Sequence, residues 1–318
     1  MRFFLAICLA SIVGFTLCSG QTLADSSRIV SQTQHARKDT LGLHVPQTEQ
    51  EERTESSSIL HHVTDSHEIL IEPFGAIHLP RFAPIHFLGL TIDLSITKHV
   101  VFVWVAALVL LLLLSVAARK NAARVIPRGF GNLIEIFIVF IRDEVILPTI
   151  GREGLRFLPF FLTLFFFILA CNLAGLVPYG STATGNVNVT ASLAIISFFF
   201  IQIAGIMKNG FLGYFKGLIP HGVPLFVIPI MIVVEFIGLF TKPFALCIRL
   251  FANMTAGHIV ILSMISLIFT LGTILVAPVS VVFALFLNVL EIFIALLQAY
   301  VFTILTSLFV SLAVHQEH

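Results

Sequence analysis

The chain has 318 residues, of which 58% are hydrophobic and only 11% charged, with 32 Phe and a mean hydropathy of +1.02. A soluble domain carries about 25% charged residues, so this composition excludes one and points to a polytopic helical membrane protein. The formal net charge of +1 decides nothing, because the charges are unevenly placed, and no basic stripe with interleaved aromatics suggests nucleic acid.

Met1-Arg2 supplies a short positive segment, Phe3 to Leu17 an apolar run, and Thr22-Leu23-Ala24 a small-residue cleavage site before Asp25. This pattern predicts a secretory signal peptide over 1–24 in preference to an uncleaved first span. Lipid attachment at Cys18 is not expected, since Phe15-Thr16-Leu17 stands where small residues are needed. Residues 25–60 are polar and aperiodic, with Glu49, Glu51, Glu52 and Glu55 beside three serines, and read as a disordered exported tail. A mitochondrial transit peptide, the competing reading, would be richer in Arg and less apolar. Residues 61–98 form a mixed extracytoplasmic segment. His61, His62, Asp65, His67 and Glu68 match no common metal-ligand spacing, so a polar lip outside the membrane is preferred to a metal site. Cys8, Cys18, Cys171 and Cys247 likewise lack ligand spacing, imply no disulfide framework, and read as small apolar fillers.

The membrane domain is expected over 99–318. Val100–Ala117 reads as the first transmembrane helix, followed by Arg119, Lys120, Arg124 and Arg128. Phe130–Ile150 mixes apolar positions with Glu135, Arg142, Asp143 and Glu144 and reads as an interfacial amphipathic helix. Phe157–Leu176 spans again, an uncharged loop follows, and Val189–Met207 returns to Lys208 and Lys216. Basic residues thus flank one membrane face repeatedly, which predicts that face to be cytoplasmic. Val223–Leu271 is about 49 residues, roughly 74 Å as a straight helix, and Val276–Val314 is about 39, roughly 58 Å. Against a hydrocarbon core of about 30 Å, the second would tilt by roughly 60°, beyond the usual range. Splitting the first tract near Gly238–Pro243 would place the C-terminus outside. Two long, strongly tilted helices joined near Gly272 and Thr273 are preferred, giving an all-α fold of about five transmembrane helices.

Arg249 lies in the middle of the first long tract. A central Arg costs roughly 3 kcal/mol on insertion scales, and its pKa above ~12 denies it neutralisation. One turn either side stand Ala245, Leu246, Ala252 and Asn253, with no carboxylate among them, so its negative partner is distant in the chain or on another chain. Snorkelling from a helix end is disfavoured by the apolar sequence on both sides. At 100° per residue Glu235, Lys242 and Arg249 share one face, Asn253 lies one turn further on it, and His258 points nearly opposite. Asn288, Glu291 and Gln298 lie on the second tract, the last two on a shared face. Intramembrane ionisable groups are functional candidates. A Glu–His pair exchanges protons near neutral pH, and Arg does not. A structural hydrogen-bond network is the competing reading for Asn288 and Gln298. A secondary transporter would usually show internal repeats, which are not found, and a membrane scaffold would not need Arg249.

Arg249-Leu-Phe-Ala-Asn253-Met-Thr-Ala-Gly257-His258 and Leu290-Glu291-Ile-Phe-Ile-Ala-Leu-Leu-Gln298-Ala-Tyr-Val-Phe302 resemble subunit a of the F-type ATP synthase, with Asn172–Pro178 and Asn186–Thr190 also fitting. The resemblance covers roughly 130–314 and is weak before His61. It implies a stator subunit of the membrane sector, set in the bacterial inner membrane with the N-terminus exported. Its long helix hairpin would face a rotating ring of c subunits, alongside the peripheral-stalk subunit b and the other synthase subunits. It implies no cofactor and no metal, and ATP chemistry on other subunits. A c-subunit carboxylate becomes the partner of Arg249, which keeps it ionised and blocks a leak between two aqueous half-channels. His258 and Glu291 match proton-uptake positions, Asn253 and Gln298 polar positions near the arginine, and Glu235 a position on the cytoplasmic outlet side. Some bacterial relatives carry Glu and His in the opposite order, which implies a relay kept in swapped form.

Overall fold

The computed structural model describes residues 68–71, 75–78, 85–87, 90–92, 98–122, 129–176, 183–217, 226, 228–271 and 277–315. The expected signal peptide, the polar tail, His61, His62, Asp65 and His67 lie outside the described residues, as do Cys8, Cys18 and the expected joint at Gly272–Thr273. Two antiparallel hairpins precede the helices. β1 (Glu68–Ile71) pairs with β2 (Gly75–His78), Ile69 opposite Ile77, and β3 (Ile85–Phe87) with β4 (Leu90–Ile92), His86 opposite Thr91. The all-α expectation therefore describes the chain from Lys98 onward. Before it, Pro73, Pro80 and Pro84 cut the sequence into runs too short to nucleate a helix.

Among the described residues seven α-helices of six residues or more follow: α1 (Lys98–Ala122), α2 (Phe130–Phe140), α3 (Leu158–Gly175), α4 (Val187–Asn209), α5 (Phe211–Lys216), α6 (Ile228–Leu271) and α7 (Ala277–Val314). Five of them, over His99–Arg119, Arg152–Gly175, Val187–Asn209, Ile230–Met264 and Pro278–Val314, are long and apolar enough to cross a membrane. The helix expected over Phe130–Ile150 is not uniform: α2 passes into a π-helical segment, Ile141–Ile146, and a single α-turn, Leu147–Thr149. Gly151, at φ 80°, then redirects the chain into a 3₁₀ stretch, Arg152–Phe157, a backbone conformation that glycine adopts without strain. Asn186 begins α4 by accepting a hydrogen bond from the Asn188 N–H at 2.9 Å, the usual solution for an orphan donor at a helix start.

α6 runs unbroken for 44 residues, about 66 Å, straight through Gly238 and Pro243, so the split-span alternative does not hold. Pro243 lacks the N–H that would bond Leu239, yet the helix continues past it. α7, with 38 residues, packs against α6, α4 and α3. The core is centred on α3, where Phe161, Leu164, Phe165, Phe167 and Ile168 are fully enclosed together with Leu193 of α4 and Phe302 of α7. The Phe160 and Phe200 rings stack at 3.5 Å and 6°, joining α3 to α4. The outer faces are equally apolar: Trp104 and Leu108 of α1, Phe236 and Phe244 of α6, Val282, Phe286 and Phe293 of α7 are exposed. Apolar exposure on this scale belongs against lipid or partner chains.

Candidate functional site

The seam between α6 and α7 gathers the polar residues of both helices. α7 carries Glu291 and Gln298 seven residues apart, and both are buried, at 4% and 3% exposure, although most large residues around them face outward. Asn253 of α6 donates its amide N–H to Gln298 Oε1 at 3.3 Å. The Nε2 of Gln298 is enclosed and finds no partner among the described residues, an expensive state for an amide in low dielectric. One turn beyond Asn253, a methyl group built on Gly257 would stand 3.0 Å from Glu291 Oε1. Glu291 therefore rests against the α6 backbone, and a side chain at Gly257 would oblige the carboxyl to give way by a few tenths of an ångström. His258 follows Gly257 on α6, so its turn meets Glu291; its side chain lies outside the described residues.

Arg249 points elsewhere. It is exposed, on the outward face shared with Ala245, Ile248, Ala252 and Ala256, and it makes no hydrogen bond or ion pair among the described residues. Asn253 does not share that face as expected. Four residues turn the helix about 40° past a full revolution, enough to carry Asn253 into the seam while Arg249 stays outside. Glu235 and Lys242 do share a face: Lys242 Nζ lies 3.9 Å from Glu235 Oε1 and 5.6 Å from the centre of the Phe309 ring of α7.

Further buried polar groups tie the helices together. Asn172 of α3 accepts from Thr184 Oγ1 at 2.7 Å and donates to the Ala295 carbonyl of α7 at 3.3 Å. Asn288 bonds the Ala284 carbonyl of its own helix at 3.0 Å, the structural role weighed for it. Cys247 is more than a filler, since its sulfur lies 3.4 Å from Thr190 Oγ1; Cys171 is buried in the apolar core. Among the described residues no cluster of three or more His, Cys, Asp or Glu could hold a metal ion. The role of Gly257 was missed from the sequence, although the glycine sits inside the recognised motif; only the opposing helix shows why it is needed.

Chemically, the arrangement sets a permanent cation on an apolar outer surface and an enclosed carboxyl behind it, with the amides of Asn253 and Gln298 between them along the seam. The cation can hold an anion presented from outside, and the carboxyl can take up and release a proton. A family model described as ATP synthase A chain matches residues 100–311, the whole of this constellation. The chain belongs to that family. ATP synthase subunit a of Chloroherpeton thalassium is 52% identical over 268 residues, covering 83% of this chain and 79% of the relative. That of Pelodictyon phaeoclathratiforme is 50% identical over 268 residues, covering 82% and 77%. That of Myxococcus xanthus is 50% identical over 229 residues, covering 71% and 75%. For an ATP synthase A chain, five candidate spans describe a multi-pass membrane protein.

Proposed function

We propose that this chain is the proton-path stator subunit of a rotary ATP synthase, with Arg249 as the fixed charge at its interface with a ring of c subunits. The observation that carries the reading is the outward exposure of Arg249 on an apolar helix face, with no counter-charge among the described residues. A permanent cation on such a face requires an anion from a neighbouring chain. A carboxyl on each passing c subunit meets that need, and the guanidinium lowers its proton affinity. Protons arrive by one aqueous half-channel through Glu291 and His258, with Asn253 and Gln298 holding the polar path beside the arginine. They leave by a second half-channel on the Glu235 side. Arg249 separates the two, because it does not give up its own proton.

The chain sits in a bacterial inner membrane in this reading, with its N-terminal region exported and its C-terminus cytoplasmic, beside subunit b and the remaining synthase subunits. The lengths of α6 and α7 support a strongly tilted hairpin, and the charged π-helical segment after α2 supports an interfacial position. Arg249→Ala in the assembled complex is the test. Proton-driven ATP synthesis should fall to background while the complex assembles normally, and near-normal synthesis in that variant would overturn the reading.

A further inference from the structure

The end of the bundle where α4 finishes and α7 finishes holds a second polar arrangement. Gly210, at φ 72°, turns the chain out of α4 into the six-residue α5. That turn lays Tyr214 back against α4. The ring is almost wholly enclosed and sets its Cδ2–Cε2 edge against Gly205, where an added methyl would come within 2.5 Å of Tyr214 Cε2 and 3.0 Å of the Ala313 carbonyl oxygen. Only glycine leaves room for the ring. Close by, Asn209 donates to the Ala313 carbonyl at 3.0 Å, so α4, α5 and the end of α7 are fastened at one point. A tyrosine chosen for packing alone could be a phenylalanine. This one uses its hydroxyl, which donates to Gln202 Oε1 at 2.6 Å.

That hydrogen bond fixes the amide of Gln202. With Oε1 taken by the phenol, the N–H pair is the face it offers to its surroundings, and Nε2 makes no hydrogen bond among the described residues. α4 and α6 run antiparallel in contact, Thr190 against Cys247 at 3.4 Å and the Phe198 ring on Phe240 at 5.7 Å, so the next turn of α4, with Gln202, meets the turn of α6 that holds Glu235, itself 3.9 Å from Lys242. Glu235, Lys242 and Arg249 follow at intervals of seven, about 10.5 Å each along α6. A string of polar groups thus leads from α5 along α6 to the outward-facing arginine. Burial holds the phenol neutral above its ordinary range, so it remains a donor at any physiological pH.

We propose that Tyr214 is a positioning residue of the proton outlet, holding Gln202 so that its amide N–H groups face the path beside Glu235. The inference rests on the proton-path reading above and adds to it a side chain from α5 that touches neither the ring nor the transferred proton. Tyr214→Phe keeps the ring on Gly205 and releases only the amide. In the complete complex, reconstituted with ATP-driven pumping and passive proton conductance both measured, this variant should assemble normally. Loss of one oriented hydrogen bond should lower conductance about fivefold and shift the pH midpoint measured on the outlet side. Gln202→Leu should reproduce both effects, and Tyr214→Phe placed on Glu235→Gln should add nothing further. Unchanged conductance and pH midpoint in Tyr214→Phe, with assembly lost in Tyr214→Ala, would reduce Tyr214 to packing and overturn the inference. Arg249→Ala measured in parallel keeps the two failures apart. If it stops synthesis while Tyr214→Phe is silent, only this inference falls.

Discussion

Gly257 shows how a side chain that is absent shapes the site. Its missing methyl lets the Glu291 carboxyl approach the α6 backbone one residue before His258, and the 3.0 Å clearance is tighter than a methyl tolerates without displacing its neighbour. Gly257→Ala should therefore move the carboxyl by a few tenths of an ångström. Because the substitution also favours helix by about 1 kcal/mol, stability should hold or rise while proton uptake falls, a split that comparing thermal unfolding with vesicle conductance detects. The relay itself is tested by exchange. His258→Glu combined with Glu291→His keeps one carboxyl and one imidazole in the same proposed path. The double variant should conduct more than either single substitution; if it is no better than the worse single, Glu291 acts without His258.

At the scale of elements, the phenol of Tyr214 adds a pH-dependent share to the docking of α5. Burial raises the Tyr214 pKa above its ordinary value near ~10, so the folded state keeps that proton more tightly than the unfolded chain does. The stabilisation is complete below the unfolded value and is lost as pH rises through the folded one. Hydrogen exchange along 211–216 should accelerate on alkalinisation above about pH 10, and Tyr214→Phe should flatten that dependence; an equal rise in both proteins would exclude the phenol as its cause. This element was invisible in the sequence, because α5 is short and its anchor depends on a glycine nine residues earlier in another helix. The long helices were legible for the opposite reason. Tracts of that length with almost no charge admit few other structures, and Pro243 left open only whether α6 was one helix or two. Glu291 and Gln298 could be placed on one face from their spacing. Asn253 could not, since a 40° offset decides between seam and surface and only the position of α7 reveals where the boundary falls. The hairpins at 68–92 gave no periodic signal in runs of three or four residues.

For the molecule as a whole, the charge asymmetry along the chain makes a directional claim. Arg119, Lys208 and the end of α7 belong to one side of the bundle if the five spans alternate, and in the proposed orientation the basic loops put that side in the cytoplasm. A reporter fused after His318 should respond as cytoplasmic, and one inserted near Glu52 as exported. An exported C-terminus would reverse the assignment and move the outlet proposed at Tyr214 to the opposite compartment.

α7 follows α3, α4 and α6 in the chain and is made after them, yet it packs on all three, and its final turns are fastened by Asn209 and by the hydroxyl of Ser311 on the Thr149 carbonyl. Until it is synthesised, the faces of α3, α4 and α6 that it covers lack that partner. Biogenesis therefore has a built-in sequence. The earlier helices can enter the bilayer one by one, but the bundle cannot close before the wedge arrives, and the carboxyl at Glu291 comes with that wedge. A chain made only as far as α6 holds Arg249 without Glu291, so the proposed proton path would be completed in the same step that closes the fold.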